Sequence, residues 1–177
     1  MKTDRINPKL IIREEAPQDR EAIRLTNRLA FAGEDEAALV DRLRDSGAAA
    51  LSLVAVLDGS VVGHILFSNL VIETALGAVG ALSLAPMAVK PEFQRRGIGS
   101  ALVLRGLERC REQGHSIVVV LGHPGYYPRF GFSAKLAENL HGPYSGKAWM
   151  ALELKESPLN GVRGTVRYPE AFAGLGQ

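Results

Sequence analysis

The residues best suited by type and spacing to chemistry form one short run, Gln94-Arg95-Arg96-Gly97-Ile98-Gly99-Ser100. It follows an apolar stretch and opens an amphipathic one, so it reads as a glycine-rich turn between a strand and a helix. The first N–H groups of a helix lack intrahelical partners, and the macrodipole adds roughly half a positive charge there, so such a turn attracts phosphate. Gly97 and Gly99 let a ligand approach the backbone, while Arg95 and Arg96 carry charge that does not titrate near neutrality. A solvated loop before a helix could carry the same arginines; the order of parts argues against it. An apolar strand is followed by the turn Val89-Lys90-Pro91-Glu92, the basic glycine turn and then the helix. On that helix Gly99, Leu102, Val103, Gly106, Leu107 and Cys110 share one face, and Arg105, Glu108, Arg109 and Glu112 the other. The small residues on the inner face predict close approach to a sheet.

Two better-known phosphate loops are excluded. No Gly-x-x-x-x-Gly-Lys-Ser/Thr string occurs. A dinucleotide fingerprint needs a third small residue where Leu102 stands, and no acidic residue follows at the distance of a ribose contact.

Gln94-x-x-Gly97-x-Gly99 after Met87-Ala88-Val89 resembles the pyrophosphate-binding motif of the GCN5-related N-acetyltransferases (GNAT), which use acetyl-coenzyme A. Tyr127-Pro128-Arg129-Phe130-Gly131-Phe132 is similar to the family's Tyr-x-x-x-Gly-Phe signature at the usual distance beyond the helix, and Leu121-Gly122-His123-Pro124 before it resembles a bacterial branch of predicted acetyltransferases. The resemblance covers most of the chain. It implies a mixed α/β fold with a central, mostly antiparallel sheet flanked by helices and splayed at the acyl-CoA site. It also implies that Met87, Ala88, Val89, Gln94, Arg95, Arg96, Gly97, Ile98, Gly99 and Ser100 bind the coenzyme, and that Tyr127 lies near its sulfur and protonates it. The implied acceptor is a primary amine on a small molecule or a protein, attacked directly in a ternary complex; an acyl-CoA-binding sensor with little catalysis is the alternative.

Such a transfer needs a held thioester, a neutral amine and a proton for the departing thiolate. A lysine-like acceptor of pKa ~10.4 costs about 4.6 kcal/mol to neutralise at pH 7. A phenol near pKa ~10 can protonate a thiolate near ~8.5 at a cost of roughly 2 kcal/mol. Tyr126 adjoins Tyr127, but Tyr127 alone stands at the right distance from Gly131-Phe132. The base is less legible. Many relatives place a glutamate on the central strand, whereas Val79-Gly80-Ala81-Leu82-Ser83-Leu84 offers only Ser83; His64, His123 and Glu73 are the remaining candidates, each also explained by a structural role. Water-relayed deprotonation or a neutral acceptor needs no named base.

The 177 residues suit one N-acetyltransferase domain over 1–177, with 161–177 as a C-terminal extension. With 21 basic against 19 acidic residues the net charge is +2, which supplies no broad field for nucleic acid or a membrane. Cys110 is the only cysteine and sits on the apolar helix face, so internal disulfides are excluded and a packing role is expected. The four histidines lack metal-ligand spacing, and no metal is expected. Met1-Lys2-Thr3-Asp4-Arg5 lacks the apolar core of a signal peptide and the run from Gly77 to Val89 is too short to span a membrane, so the expected location is cytoplasmic. A homodimer remains open.

The positioning elements follow from periodicity. Leu10 to Ile12 reads as a strand; Pro17 and Asp19 begin a helix whose inward stripe is Ala22, Leu25, Thr26 and Leu29. Glu34-Asp35-Glu36 precedes a second helix through Leu39, Val40 and Leu43; in the resembled family this pair borders the acceptor, which brings Phe31, Glu34 and Glu36 toward substrate. Leu51–Leu57 and Val61–Ile72 form a hairpin about Asp58-Gly59, and Ala78–Val89 adds a third strand in which Pro86 marks a bulge or a parting of strands. In the resembled family that parting frees backbone groups for pantetheine. Ile117–Leu121 suits a parallel strand, Pro124–Arg129 a short helix, Phe132–Lys135 and Trp149–Leu154 late strands, and 139–147 a loop. For 161–172 the pattern fits an added strand, a hairpin or a docked tail.

Overall fold

The computed structural model describes residues 9–175; the leader expectation for Met1 to Arg5 therefore lies outside the described residues. Eight strands form one mixed, mostly antiparallel sheet: β1 (Leu10–Glu14), β2 (Ala49–Leu57), β3 (Ser60–Thr74), β4 (Gly77–Val89), β5 (Ile117–Leu121), β6 (Leu140–His141), β7 (Trp149–Glu153) and β8 (Gly164–Arg167). Among the described residues three α-helices accompany them: α1 (Arg20–Phe31), α2 (Asp35–Asp45) and α3 (Ile98–Glu112). The path runs β1-β2-β3-β4-β5-β7, with β8 beside β3 and β6 beside β8.

Alternation along β2 shows why helices cover both faces. Leu53 and Ala55 pack with Leu102, Val103 and Leu107 of α3. Val54 and Val56 pack with Ile23 of α1 and Leu39, Val40 and Leu43 of α2. Successive side chains point to opposite faces, so a strand covered on both sides is apolar throughout. On α3 the small residues act as expected: a Cβ on Gly106 would stand 2.5 Å from Cε2 of Phe67, a ring fully buried beneath it. Hence the helix axis rests close to the sheet and its N-terminus beside the end of β4.

The hairpin at Asp58-Gly59 has positive φ at both residues, 48° and 80°, as a primed turn requires. Between Ile65↔Met87 and Phe67↔Leu84, β4 carries one residue more than β3, and Pro86 lies in that bulge. On its other edge β4 pairs with β5 only at Leu82↔Val118 and Ser83↔Val119, after which the strands part. Pro86 thus marks both a bulge and a parting.

Three local expectations need correction. Leu25 and Leu29 are each 44% exposed; α1 turns Ile23, Thr26 and Asn27 inward. Hydrophobicity misplaced this face because its buried donors find partners: the Thr26 hydroxyl donates to the Ala22 carbonyl at 2.7 Å, and the Asn27 amide nitrogen donates to the Ile23 carbonyl at 3.0 Å, while Asn27 Oδ1 is buried without a partner among the described residues. Phe132–Lys135 is not a strand, since only Ser133 bridges to Ala151 and its hydroxyl accepts from the Lys135 N–H, turning the chain. The 139–147 loop contains β6. The late segment resolves as an added strand: β8 pairs with Val71–Thr74 of β3, beyond the reach of β2, and leads to a single 3-10 turn at Glu170–Phe172.

Candidate active site

The glycine turn is built as a helix start. Arg95 and Gly97 both adopt left-handed backbone, with φ of 62° and 81°, and Gly97 caps α3. The Gln94 amide donates to the Val89 carbonyl at 2.9 Å and ties the turn to the end of β4. A cavity of about 700 Å³ opens over this turn, lined by Met87, Val89, Gln94, Arg95 and the backbone from Gly97 to Ser100, and closed on the far side by His123, Tyr126 and Arg129. The N–H groups of the first helical turn and two guanidinium groups are therefore gathered at one opening. Two of the expected coenzyme residues do not line it: Ala88 is buried, and Arg96 stacks over the Phe93 ring at 5.4 Å.

Where β4 and β5 part, a second cavity of about 470 Å³ begins; it shares Met87 with the first. Its floor is Ser83 to Met87, and Tyr127 and Leu121 form one wall. Phe31, Asp35, Glu36, Tyr144, Tyr168 and Phe172 supply the rest of its polar and aromatic lining. Among the described residues no basic side chain lines it, and no carboxylate lines the first cavity. The two cavities adjoin at Met87, the one at the α3 N-terminus basic and the one at the start of α2 acidic.

The adjacent tyrosines have different settings. Tyr126 lies on the basic side with its hydroxyl 3.2 Å from the Ser100 hydroxyl, and the Arg129 guanidinium sits over its ring at 4.7 Å. Tyr127 is 8% exposed, packs edge-on to Phe132 at 5.6 Å between ring centroids, and borders the second cavity. Among the described residues its hydroxyl has no hydrogen-bond partner. Burial, with a smaller effect of Tyr126, pushes its pKa up to about 12. The short helix over which both sit begins where the Tyr126 and Tyr127 N–H groups donate to the His123 carbonyl at 3.0 and 3.2 Å.

The candidate bases do not gather at Tyr127. His64 is fully buried on β3, its Nδ1 3.1 Å from the Asn27 amide and its Nε2 2.9 Å from the Ser52 hydroxyl, which donates to Glu15 at 2.7 Å. Burial lowers its pKa to about 4. Glu73 pairs with Arg167 at 2.9 Å on the surface, and His123 faces the basic cavity. Ser83 alone of the four lines the acidic cavity, where it is 3% exposed. Of the residues expected toward substrate, Phe31 and Glu36 do line it, whereas Glu34 is drawn into ion pairs with Arg24 and Arg28. Asp35 and the aromatic group Tyr144, Tyr168 and Phe172 were missed by sequence reasoning; the acidic run before α2 was the signal for Asp35, while the aromatics come from distant segments that only folding unites.

Residues 16–132 match the model of the Acetyltransferase (GNAT) family. The chain is 37% identical over 167 residues to the uncharacterised N-acetyltransferase YhbS of Escherichia coli K12, covering 92% of this chain and 98% of that one. The crystal structure of E. coli YhbS in complex with CoA superposes with a TM-score of 0.88 at 35% identity, over 96% of this chain and 94% of that one. A GNAT family acetyltransferase from Brucella melitensis in complex with acetyl-CoA gives a TM-score of 0.78 at 36% identity, over 93% and 98%.

Proposed function

The chain belongs to the acetyltransferase (GNAT) family, and from that premise we propose that it moves an acetyl group from acetyl-coenzyme A to a primary amine by direct attack in a ternary complex. One observation carries this reading: a basic cavity at a helix N-terminus and an acidic, aromatic cavity adjoin at Met87, on the stretch of β4 beyond its last pairing with β5 at Ser83. The residues fit the coenzyme. Its pyrophosphate is held by the N–H groups from Gly97 to Ser100 with Arg95 and Arg129, and its pantetheine arm follows the β4 edge that β5 has released.

The thioester then lies at the junction, beside Tyr127. A neutral amine entering from the acidic side attacks the carbonyl carbon; a C–N bond forms, the C–S bond breaks, and the thiolate takes the Tyr127 proton, which solvent replaces. Against a free thiol of pKa ~8.5, a phenol raised to about 12 makes that transfer uphill by roughly 5 kcal/mol, more than the unperturbed values imply. The same dry surroundings also disfavour the thiolate, raising its proton affinity and narrowing the gap. The amine proton leaves through water, since of the four candidate bases only Ser83 lines the acceptor cavity, and its hydroxyl is not a base near neutrality.

Thiol release measured over a panel of primary amines, with coenzyme A binding followed by calorimetry, tests the proposal. Amine-dependent thiol release is expected. Tight binding of coenzyme A without turnover on any amine would replace the enzyme reading with that of an acyl-CoA-binding module.

A further inference from the structure

Resting on that reading, we infer that the acceptor is a small diamine, whose one nitrogen reacts beside Tyr127 while the other, still protonated, is held by Asp35 and Glu36. The two carboxylates begin α2, which packs on one face of the sheet, and Tyr127 belongs to the core under α3 on the other face. The acidic cavity draws its lining from both faces and from the stretch of β4 that has parted from β5. Its charged end and its reacting end therefore belong to opposite sides of the sheet.

This separation matters because the reacting nitrogen must be neutral. A carboxylate beside an amine favours the ammonium form and opposes attack, so two carboxylates at the reacting nitrogen would work against the reaction. At the far end they bind a second cation without that cost. Neither Asp35 nor Glu36 has an ion-pair partner among the described residues, although Glu34, one position earlier, is paired with both Arg24 and Arg28. The remaining wall suits an apolar spacer and a cation. Tyr144 and Tyr168 meet edge-on at 5.6 Å, and Tyr168 and Phe172 at 4.9 Å, presenting aromatic surface to the cavity. Phe172 and Leu175, from the C-terminal segment, wall a space of about 470 Å³, which favours a free small molecule over a side chain presented on a folded protein.

Three amines of equal chain length decide the matter: butane-1,4-diamine, butylamine and 4-aminobutyrate, with a distal cation, no charge and an anion. The diamine is expected to exceed butylamine at least tenfold in kcat/KM, mainly through KM, and 4-aminobutyrate to be poorest. The Asp35→Asn/Glu36→Gln double variant, which keeps side-chain size, should bring the ratio of diamine to butylamine toward one, while Glu34→Gln leaves it as in the parent. Raising ionic strength should shrink the preference as well. Calorimetric titration of each amine into the protein saturated with coenzyme A gives an answer independent of turnover. Equal binding and equal rates for diamine and butylamine, or a preference retained in the double variant, would overturn the inference and leave the acetyltransferase reading standing. Failure of coenzyme A itself to bind would instead remove that underlying reading.

Discussion

The Tyr127 ring fills the space that a side chain at Gly122 would need: a Cβ there would stand 2.3 Å from Cε2 of the ring. Gly122 closes β5 by donating to the Ala148 carbonyl at 2.9 Å, so the strand end and the ring are fixed against each other. Gly122→Ala should displace the ring, costing about 1–3 kcal/mol as overpacking does. It should also lower kcat while coenzyme A affinity stays within a few-fold, because the basic cavity is built from other residues. Denaturant unfolding and calorimetry separate the two effects; wild-type turnover in this variant would show that the ring position is unimportant.

In the basic cavity Gly97 has φ of 81°, in open space. Asp tolerates left-handed backbone better than most residues, so Gly97→Asp should stay folded while placing an anion where the pyrophosphate is proposed to sit. Coenzyme A affinity should fall by at least tenfold, read by calorimetry. An unchanged affinity would dissociate this turn from the phosphate.

Buried His64 gives the protein a pH dependence unrelated to catalysis. Its native pKa of about 4 lies below the ordinary 6.5, so between those values the unfolded chain takes up a proton that the native state refuses. Stability is therefore full above pH 6.5 and falls toward pH 4 with a slope of up to ~1.4 kcal/mol per pH unit. Glu15 acts in the same direction at lower pH, since contacts with Arg44 and Ser52 outweigh its burial and hold its pKa below the usual value; this contribution is lost as pH falls through that pKa. His64→Gln should flatten the slope between pH 6.5 and 4, leaving what His115, also lowered by burial, contributes. An unaltered slope in urea unfolding at several pH values would rule out His64 as its source.

The elements that position the basic cavity were legible because local sequence specifies them. Gly97 needs a left-handed cap, Gly106 needs contact with Phe67, and Asp58-Gly59 needs a primed turn; each leaves a mark within a few residues. Pro86 was legible for the same reason, as a missing donor in a strand. The acidic cavity was legible only in part, at Phe31 and Glu36. Its walls come from α1, α2, β4 and the segment after β8, whose proximity depends on the late pairing of Val71–Thr74 with Gly164–Arg167. The α1 stripe was half right, with Ala22 and Thr26 inward and Leu25 and Leu29 exposed; Asn27 is buried to reach His64, an interaction across 37 positions that helical periodicity does not contain.

Tyr127→Phe removes one oxygen and leaves the ring whose edge packs against Phe132. Because the hydroxyl has no protein partner among the described residues, its loss should leave stability nearly unchanged. Turnover should fall by ~10²–10⁴, the range for a lost general acid, with coenzyme A affinity preserved. Tyr126→Phe is the matched control: it breaks the contact with Ser100, so it should cost about 1 kcal/mol of stability or a modest loss of coenzyme affinity and keep near-normal turnover. The acceptor must be one for which chemistry limits the rate, since slow product release conceals a change in the acid step. Turnover of Tyr127→Phe at the wild-type rate under those conditions would transfer protonation of the thiolate to water or to the acceptor itself.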